Sequence, residues 1–131
     1  MLAYAIDKAR LATDGQAYLK LLASNADWMI RDKASLMVNR KTVPGLAKLP
    51  DADFRAFADS LEFKGGGLAH GNYRPLMLNL TLTELFEVFE AFGMGRDYFL
   101  RIHEYDCAGG DCSFSFWSFC ASNCHPTVVE Q

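Results

Sequence analysis

The chain is least ordinary between His103 and His125, where it reads HEYDCAGGDCSFSFWSFCASNCH. All four cysteines of the protein lie in this stretch, at positions 107, 112, 120 and 124. Serine and phenylalanine alternate after Cys112, a pattern typical of a short β-strand or hairpin. We therefore predict two regions, a helical domain over residues 1–105 and a Cys- and aromatic-rich C-terminal tail over residues 106–131.

Upstream of this tail, the strongest local signals are those of helices. Thr81 and Glu84 have the spacing of a capping box, apolar residues follow at helical spacing, and Gly93 suits the position just after a helix. A last helix is expected from about Arg96 to Tyr105. These signals predict an all-α fold, a compact bundle of five to six short helices.

Two further segments complete this predicted bundle. Pro50 and Asp51 are typical of a helix start, because proline tolerates the first turn and a carboxylate interacts favourably with the helix dipole. The glycine-rich segment from Lys64 to Arg74 is expected to be a turn and an ordered loop, since it has neither the lysine nor the strand context of a phosphate-binding motif.

The composition limits the classes of function. Half of the residues are apolar and 13% are aromatic, which is typical of a globular protein. The net charge is −3 and no basic stripe is evident, so we expect no nucleic-acid partner. No apolar run reaches the roughly 18 residues of a membrane span, and Asp7 and Lys8 come too early for an export signal. We predict a cytoplasmic protein and leave its oligomeric state open.

The four cysteines allow several interpretations. As free thiols they would pack as small apolar groups beside the tail's aromatic residues. Alternatively they would form two disulfides, for which nested bonds, Cys107–Cys124 outside Cys112–Cys120, are one of three possible pairings. The expected cytoplasmic location argues against disulfides, because the cytosol keeps thiols reduced.

A metal site is a third interpretation of the cysteines. Zinc is held tetrahedrally by cysteine and histidine, so zinc or iron is the cofactor to consider if there is one. The spacing differs from the usual Cys-x2-Cys knuckle and from the common iron–sulfur patterns. The candidate ligands are Cys107, Cys112, Cys120, Cys124, His103 and His125.

The segment from Cys107 to Cys124 also resembles the precursors of ribosomally synthesised, post-translationally modified peptides. Gly109 and Gly110 resemble a double-glycine cleavage site, which would separate a folded leader, residues 1–110, from a core peptide, residues 111–131. The resemblance implies a modifying enzyme as the partner. It also implies thioether rings formed between dehydrated serines and cysteines of the core, drawn from Ser113, Ser115, Ser118 and Ser122 and from Cys112, Cys120 and Cys124.

We predict no catalytic residue. His103 and Cys107, with Asp106 or Asp111, have the chemistry of a nucleophilic set. If the last helix ends just before Cys107, however, the helix dipole disfavours a thiolate at that residue.

The preferred interpretation is a non-catalytic accessory or binding protein that contacts a protein partner through its tail. Seventeen aromatic residues are a large number for 131, and a dense apolar segment ends either in the core or in an interface. The predicted contact residues are Phe114, Phe116, Trp117 and Phe119. The modified-peptide precursor is the second interpretation, and a small metal-binding protein is the third.

Overall fold

The computed structural model of the chain describes residues 6–108 and 111–124. Within these ranges the chain forms seven α-helices, four β-strands and two short 3-10 helices, Lys8–Arg10 and Ser122–Cys124. The helices are α1 (Gly15–Leu22), α2 (Lys33–Val38), α3 (Pro44–Ala47), α4 (Asp51–Ser60), α5 (Arg74–Met77), α6 (Leu82–Ala91) and α7 (Arg96–Ile102). The strands are β1 (Glu62–Lys64), β2 (Gly67–Asn72), β3 (His103–Ala108) and β4 (Asp111–Cys120).

The predicted all-α bundle is wrong, because the strands form one antiparallel sheet in the order β1-β2-β4-β3. The segment expected to be a turn and a loop provides all of β2 and the last residue of β1, Lys64. The helix expected to continue to Tyr105 ends at Ile102, and His103 is already extended, with φ −70° and ψ 154°. The fold is therefore mixed α and β, with helices packed against a small sheet.

The capping box predicted at the start of α6 is confirmed. The backbone N–H of Glu84 donates to Thr81 Oγ1 at 3.2 Å, and the backbone N–H of Thr81 donates to Glu84 Oε1 at 2.9 Å. Two of the backbone donors that every helix N-terminus leaves unpaired are satisfied in this way. The start of α4 at Asp51, after Pro50, also agrees with the prediction.

The tail supplies an inner strand of the sheet. β4 lies between β2 and β3, and Phe119 pairs with Gly71 on one side and with His103 on the other. The ring of Phe119 is fully buried and meets Phe89 edge-to-face, with 5.1 Å between ring centroids. The division at residues 105/106 stays a prediction, but this sheet and this core include residues from both sides of it.

In the part of the chain that the structure describes, no helix has both the length and the apolar character needed to cross a membrane.

Gly93 follows the C-cap of α6, as predicted for a glycine just after a helix. It has φ +91°, its N–H donates to Glu90 O, and the next N–H, of Met94, donates to Phe89 O. These two bonds define a Schellman motif, which favours glycine because other residues are strained at positive φ. A β-carbon at this position would also lie 2.9 Å from Leu21 Cδ2 and 3.0 Å from Met29 Cε.

Gly93→Ala is therefore expected to destabilise the protein by about 2 kcal/mol, from backbone strain together with crowding. Gly65→Ala is the matched control. Gly65 also has a positive φ, of 61°, but a β-carbon added there would have no heavy atom of another residue within 4 Å, its chain neighbours aside. The control is expected to cost about 1 kcal/mol. Urea unfolding measures both, and equal costs would contradict the crowding at Gly93.

Candidate functional site

The candidate site is the hairpin formed by β3 and β4, which two disulfides close. Cys107 is bonded to Cys124, and Cys112 to Cys120. This is the nested pairing, in which the inner bond lies within β4 and the outer bond joins β3 to the 3-10 helix that follows β4. Bonds that close loops of this size typically stabilise a fold by about 2–4 kcal/mol. The hairpin is therefore fixed covalently as well as by its backbone hydrogen bonds.

Four aromatic side chains of this hairpin are exposed to solvent, and we call them the aromatic patch. Phe114 and Phe116 are 64% and 68% exposed, and Tyr105 and Trp117 are 41% and 37% exposed. The rings of Phe114 and Phe116 meet edge-to-face at 4.9 Å, and Tyr105 contacts Phe114 at 6.4 Å. Three of the four rings thus form one continuous apolar surface.

A large bulge shapes the hairpin beneath the patch. His103 pairs with Phe119 and Tyr105 pairs with Phe114, so Glu104 alone faces residues 115–118 of β4. Glu104 and Trp117 both have left-handed backbones, with φ of 71° and 67°. This region is uncommon for residues other than glycine and costs free energy unless neighbouring contacts impose it.

Three hydrogen bonds impose this strained geometry, and Glu104 accepts two of them. Its Oε1 accepts a hydrogen bond of 2.6 Å from the Tyr73 hydroxyl, and its Oε2 accepts one of 2.7 Å from the backbone N–H of Trp117. The backbone N–H of Tyr73 in turn donates to Trp117 O at 2.7 Å. Bonds to an ionised carboxylate are among the stronger ones in proteins. This closed ring of bonds therefore holds the bulge, and with it Trp117, in one conformation.

The same contacts shift two pKa values. The Tyr73 hydroxyl, followed by the Trp117 N–H and His103, lowers the pKa of Glu104 below its usual range. Burial, followed by the bond to Glu104, raises the pKa of Tyr73. At neutral pH, Glu104 is therefore ionised and Tyr73 is protonated, which is the combination in which Tyr73 donates and Glu104 accepts.

Tyr73→Phe removes one bond of this ring and is expected to cost about 1 kcal/mol of unfolding free energy at pH 7. The pKa of Glu104, measured by NMR titration, is expected to rise in this variant. A carboxyl group whose pKa is lowered by folding stabilises the folded state at pH values above its ordinary pKa. This stabilisation is lost as the pH falls through the lowered pKa of the folded state. The difference between wild type and variant should therefore shrink below about pH 4. A difference that does not change with pH would contradict this role of Glu104.

Trp117 links the patch to the body of the protein. Its ring meets Tyr73 edge-to-face at 5.9 Å, and the guanidinium of Arg74 lies 5.8 Å from its centroid. Tyr73 itself is buried and packs against Phe99 at 5.4 Å. The orientation of the patch relative to the core is thus fixed through Tyr73.

The structure separates the predicted contact residues. Phe114, Phe116 and Trp117 are in the aromatic patch, whereas Phe119 lies in the core and is available only to support the patch from beneath. Sequence reasoning included Tyr105 in the last helix and so missed it as a surface residue. Tyr73 and Glu104 were also missed, and no local pattern marks them, since their roles depend on contacts with the tail.

Among the predicted metal ligands, the cysteines lie close together and His103 is not grouped with them. The Sγ atoms of Cys107, Cys120 and Cys124 lie within 4.8 Å of one another. His103 instead stacks on Phe99, with 5.7 Å between centroids, and its Nδ1 lies 3.4 Å from the Tyr73 hydroxyl oxygen. The other predicted residues, His125 as a ligand and Gly109 and Gly110 as a cleavage site, lie outside the described residues.

No protein-family model, curated protein or solved structure matches this chain. The geometry of the hairpin is therefore the basis for the functional proposal.

Proposed function

We propose that this protein is a non-catalytic binding protein whose contact surface is the aromatic patch. The observation that carries the proposal is the exposure of Phe114 and Phe116, at 64% and 68%, on a hairpin closed by two disulfides. Contact between a phenylalanine ring and water is unfavourable, so covering the ring with a partner lowers the free energy. A rigid apolar surface also loses little conformational entropy when a partner covers it. Exposed aromatic groups on a rigid support are typical of interface hot spots.

The proposed partner is a protein with an apolar pocket and a basic rim. Residues 103–124 contain three acidic residues and neither lysine nor arginine, so the hairpin itself carries a negative net charge, with Arg74 beside Trp117 as a neighbouring cation. Charge complementarity would favour lysine or arginine at the edge of the partner's pocket and would increase the rate of association. The same negative charge disfavours a nucleic acid as the partner.

The paired cysteines bear on where the protein acts. Disulfides persist in oxidising environments and are rare in the cytosol. The two bonds therefore favour an oxidising compartment for the disulfide form, while the cytoplasmic location stays a prediction.

Photocrosslinking tests the proposed contact surface. Benzoylphenylalanine replaces Phe116 in the patch or, as the control, Val38, which is 78% exposed on α2. We expect the group at 116 to crosslink to one defined protein in extracts of the source cells, and the group at 38 not to do so. Identical products from the two positions, or none from position 116, would overturn the proposal.

The other two interpretations of the tail stay predictions, and the intact mass of the protein separates them. A modified-peptide precursor would lose one water for each dehydrated serine and would end at Gly110 after cleavage. A metal-binding protein would retain zinc or iron in native mass spectrometry. The proposed binding protein, measured with both disulfides formed, keeps its full length, retains no metal and loses only the hydrogens of its two disulfides.

A further inference from the structure

The two disulfides of the hairpin lie side by side. The Sγ atoms of Cys107, Cys120 and Cys124 are within 4.8 Å of one another, and the Sγ of Cys112 is bonded to that of Cys120. Four sulfur atoms are therefore concentrated in one place, although they come from β3, from both ends of β4 and from the 3-10 helix that follows it.

We propose that reduction of both disulfides converts this cluster into a tetrahedral zinc site with four thiolate ligands, Cys107, Cys112, Cys120 and Cys124. Zinc binds thiolate sulfur at about 2.3 Å, which places neighbouring sulfurs of a tetrahedron about 3.8 Å apart. Non-bonded sulfurs within 4.8 Å of one another need to approach by about 1 Å to reach this spacing, and the two sulfurs of each reduced disulfide need to separate by about 1.7 Å. Cys112 completes the set by rotating its side chain once its bond to Cys120 is broken.

The surroundings suit such a site. A zinc ion with four thiolates carries a net charge of −2, and the Nζ of Lys64 lies 3.8 Å from Cys107 Sγ, where it offsets part of that charge. Cys120 and Cys124 are 3% and 0% exposed, so two of the ligands are shielded from water. Outer groups of this kind orient metal ligands and tune their affinity.

Contacts other than the disulfides hold the sulfur-bearing segments together. His70 on β2 pairs with Cys120, and the N–H of Ala121 donates to Ala69 O at 2.7 Å. The side chain of Asn123 donates to Lys64 O at 2.8 Å, which anchors the segment beside Cys124. The four thiols are therefore expected to stay close to one another after reduction.

The conversion needs a dithiol reductant. Each disulfide receives two electrons and two protons from one dithiol, which leaves as a cyclic disulfide, so two dithiols yield four cysteine thiols. Zinc then replaces four protons, which are released to solvent. The disulfides would close the hairpin in an oxidising compartment, and zinc would do so in a reducing one. This inference does not depend on the proposed partner.

Cobalt(II) is the probe for the test, because thiolate ligands give it charge-transfer absorption and tetrahedral geometry gives it intense d–d bands. The full chain is reduced with a dithiol, freed of it under anaerobic conditions and titrated with Co²⁺. We expect one tetrahedral, thiolate-ligated cobalt per reduced chain, displacement by one equivalent of Zn²⁺, and none of this absorption with the disulfide form. A reduced chain that binds no cobalt overturns the proposal.

Two variants test the ligand set. Cys112→Ser is expected to lower the charge-transfer intensity by about a quarter, because one of four thiolates is lost. His103→Ala is the control and is expected to leave the spectrum unchanged. Loss of the site in the control, or an unchanged spectrum in Cys112→Ser, contradicts a four-cysteine site. If Cys112→Ser fails to fold by circular dichroism, Cys107→Ser replaces it, with the same expected loss.

Discussion

Replacing Phe119 with alanine is expected to destabilise the protein by about 3–5 kcal/mol, the usual cost of removing a fully buried phenylalanine ring. The ring of Phe119 has no exposed surface, and its centroid lies 5.1 Å from that of Phe89 and 6.4 Å from that of Phe99. Phe89 and Phe99 belong to α6 and α7. The cavity left by the variant would therefore lie between the helices and the hairpin, and urea unfolding measures its cost.

Phe116→Ala is the matched control for this prediction. Phe116 is on the same strand, three residues earlier, but its ring is 68% exposed, so its removal is expected to change the unfolding free energy by less than about 0.5 kcal/mol. If both variants cost the same small amount, β4 would not be anchored in the core. The patch would then lack the support that the proposed function requires.

The parts of the fold that the sequence predicts are those in which neighbours along the chain determine the structure. Thr81 and Glu84 pair across three residues, and Asp51 begins a helix next to Pro50. Gly93 completes a Schellman motif with residues of its own helix. None of these features needs a distant partner, because side-chain and backbone groups within one or two turns satisfy one another.

The sheet could not be predicted in this way. β2 has the sequence GLAHGN, with two glycines and no β-branched residue, which has a low intrinsic preference for a strand. It is extended because it pairs with β1 and β4, and its partner in β4 is about 50 residues away along the chain. The residues of β2 also do not alternate between buried and exposed, since Gly67, Leu68 and Ala69 are all buried.

The site was predictable in its composition but not in its geometry. The four cysteines and the phenylalanines of the tail are evident from the sequence, and the nested pairing was one of three. The bulge opposite Glu104 was not evident, because it depends on hydrogen bonds from Tyr73 and Trp117. This bulge ends the regular alternation of β4, so that Phe116 and Trp117 are both exposed while Ser118 and Phe119 are both buried.

Simultaneous replacement of Phe114 and Phe116 with serine is expected to weaken binding of the photocrosslinked partner by about 100-fold or more. Each ring is proposed to be a hot spot, and such residues typically contribute about 2 kcal/mol or more when they are removed. The two rings lie in contact, so their effects need not add. The fold should be preserved, because both side chains point into solvent and the disulfides are unchanged.

The most direct test of the aromatic patch as the contact surface is the affinity of that partner, measured by calorimetry for wild type and two double variants. Phe114→Ser with Phe116→Ser changes the patch. Met37→Ser with Val38→Ser is the control, since it removes two side chains on α2 that are 60% and 78% exposed. We predict a loss of about 100-fold for the first pair and unchanged affinity for the second. Equal affinities for all three proteins, or a loss confined to the α2 pair, would contradict the proposal.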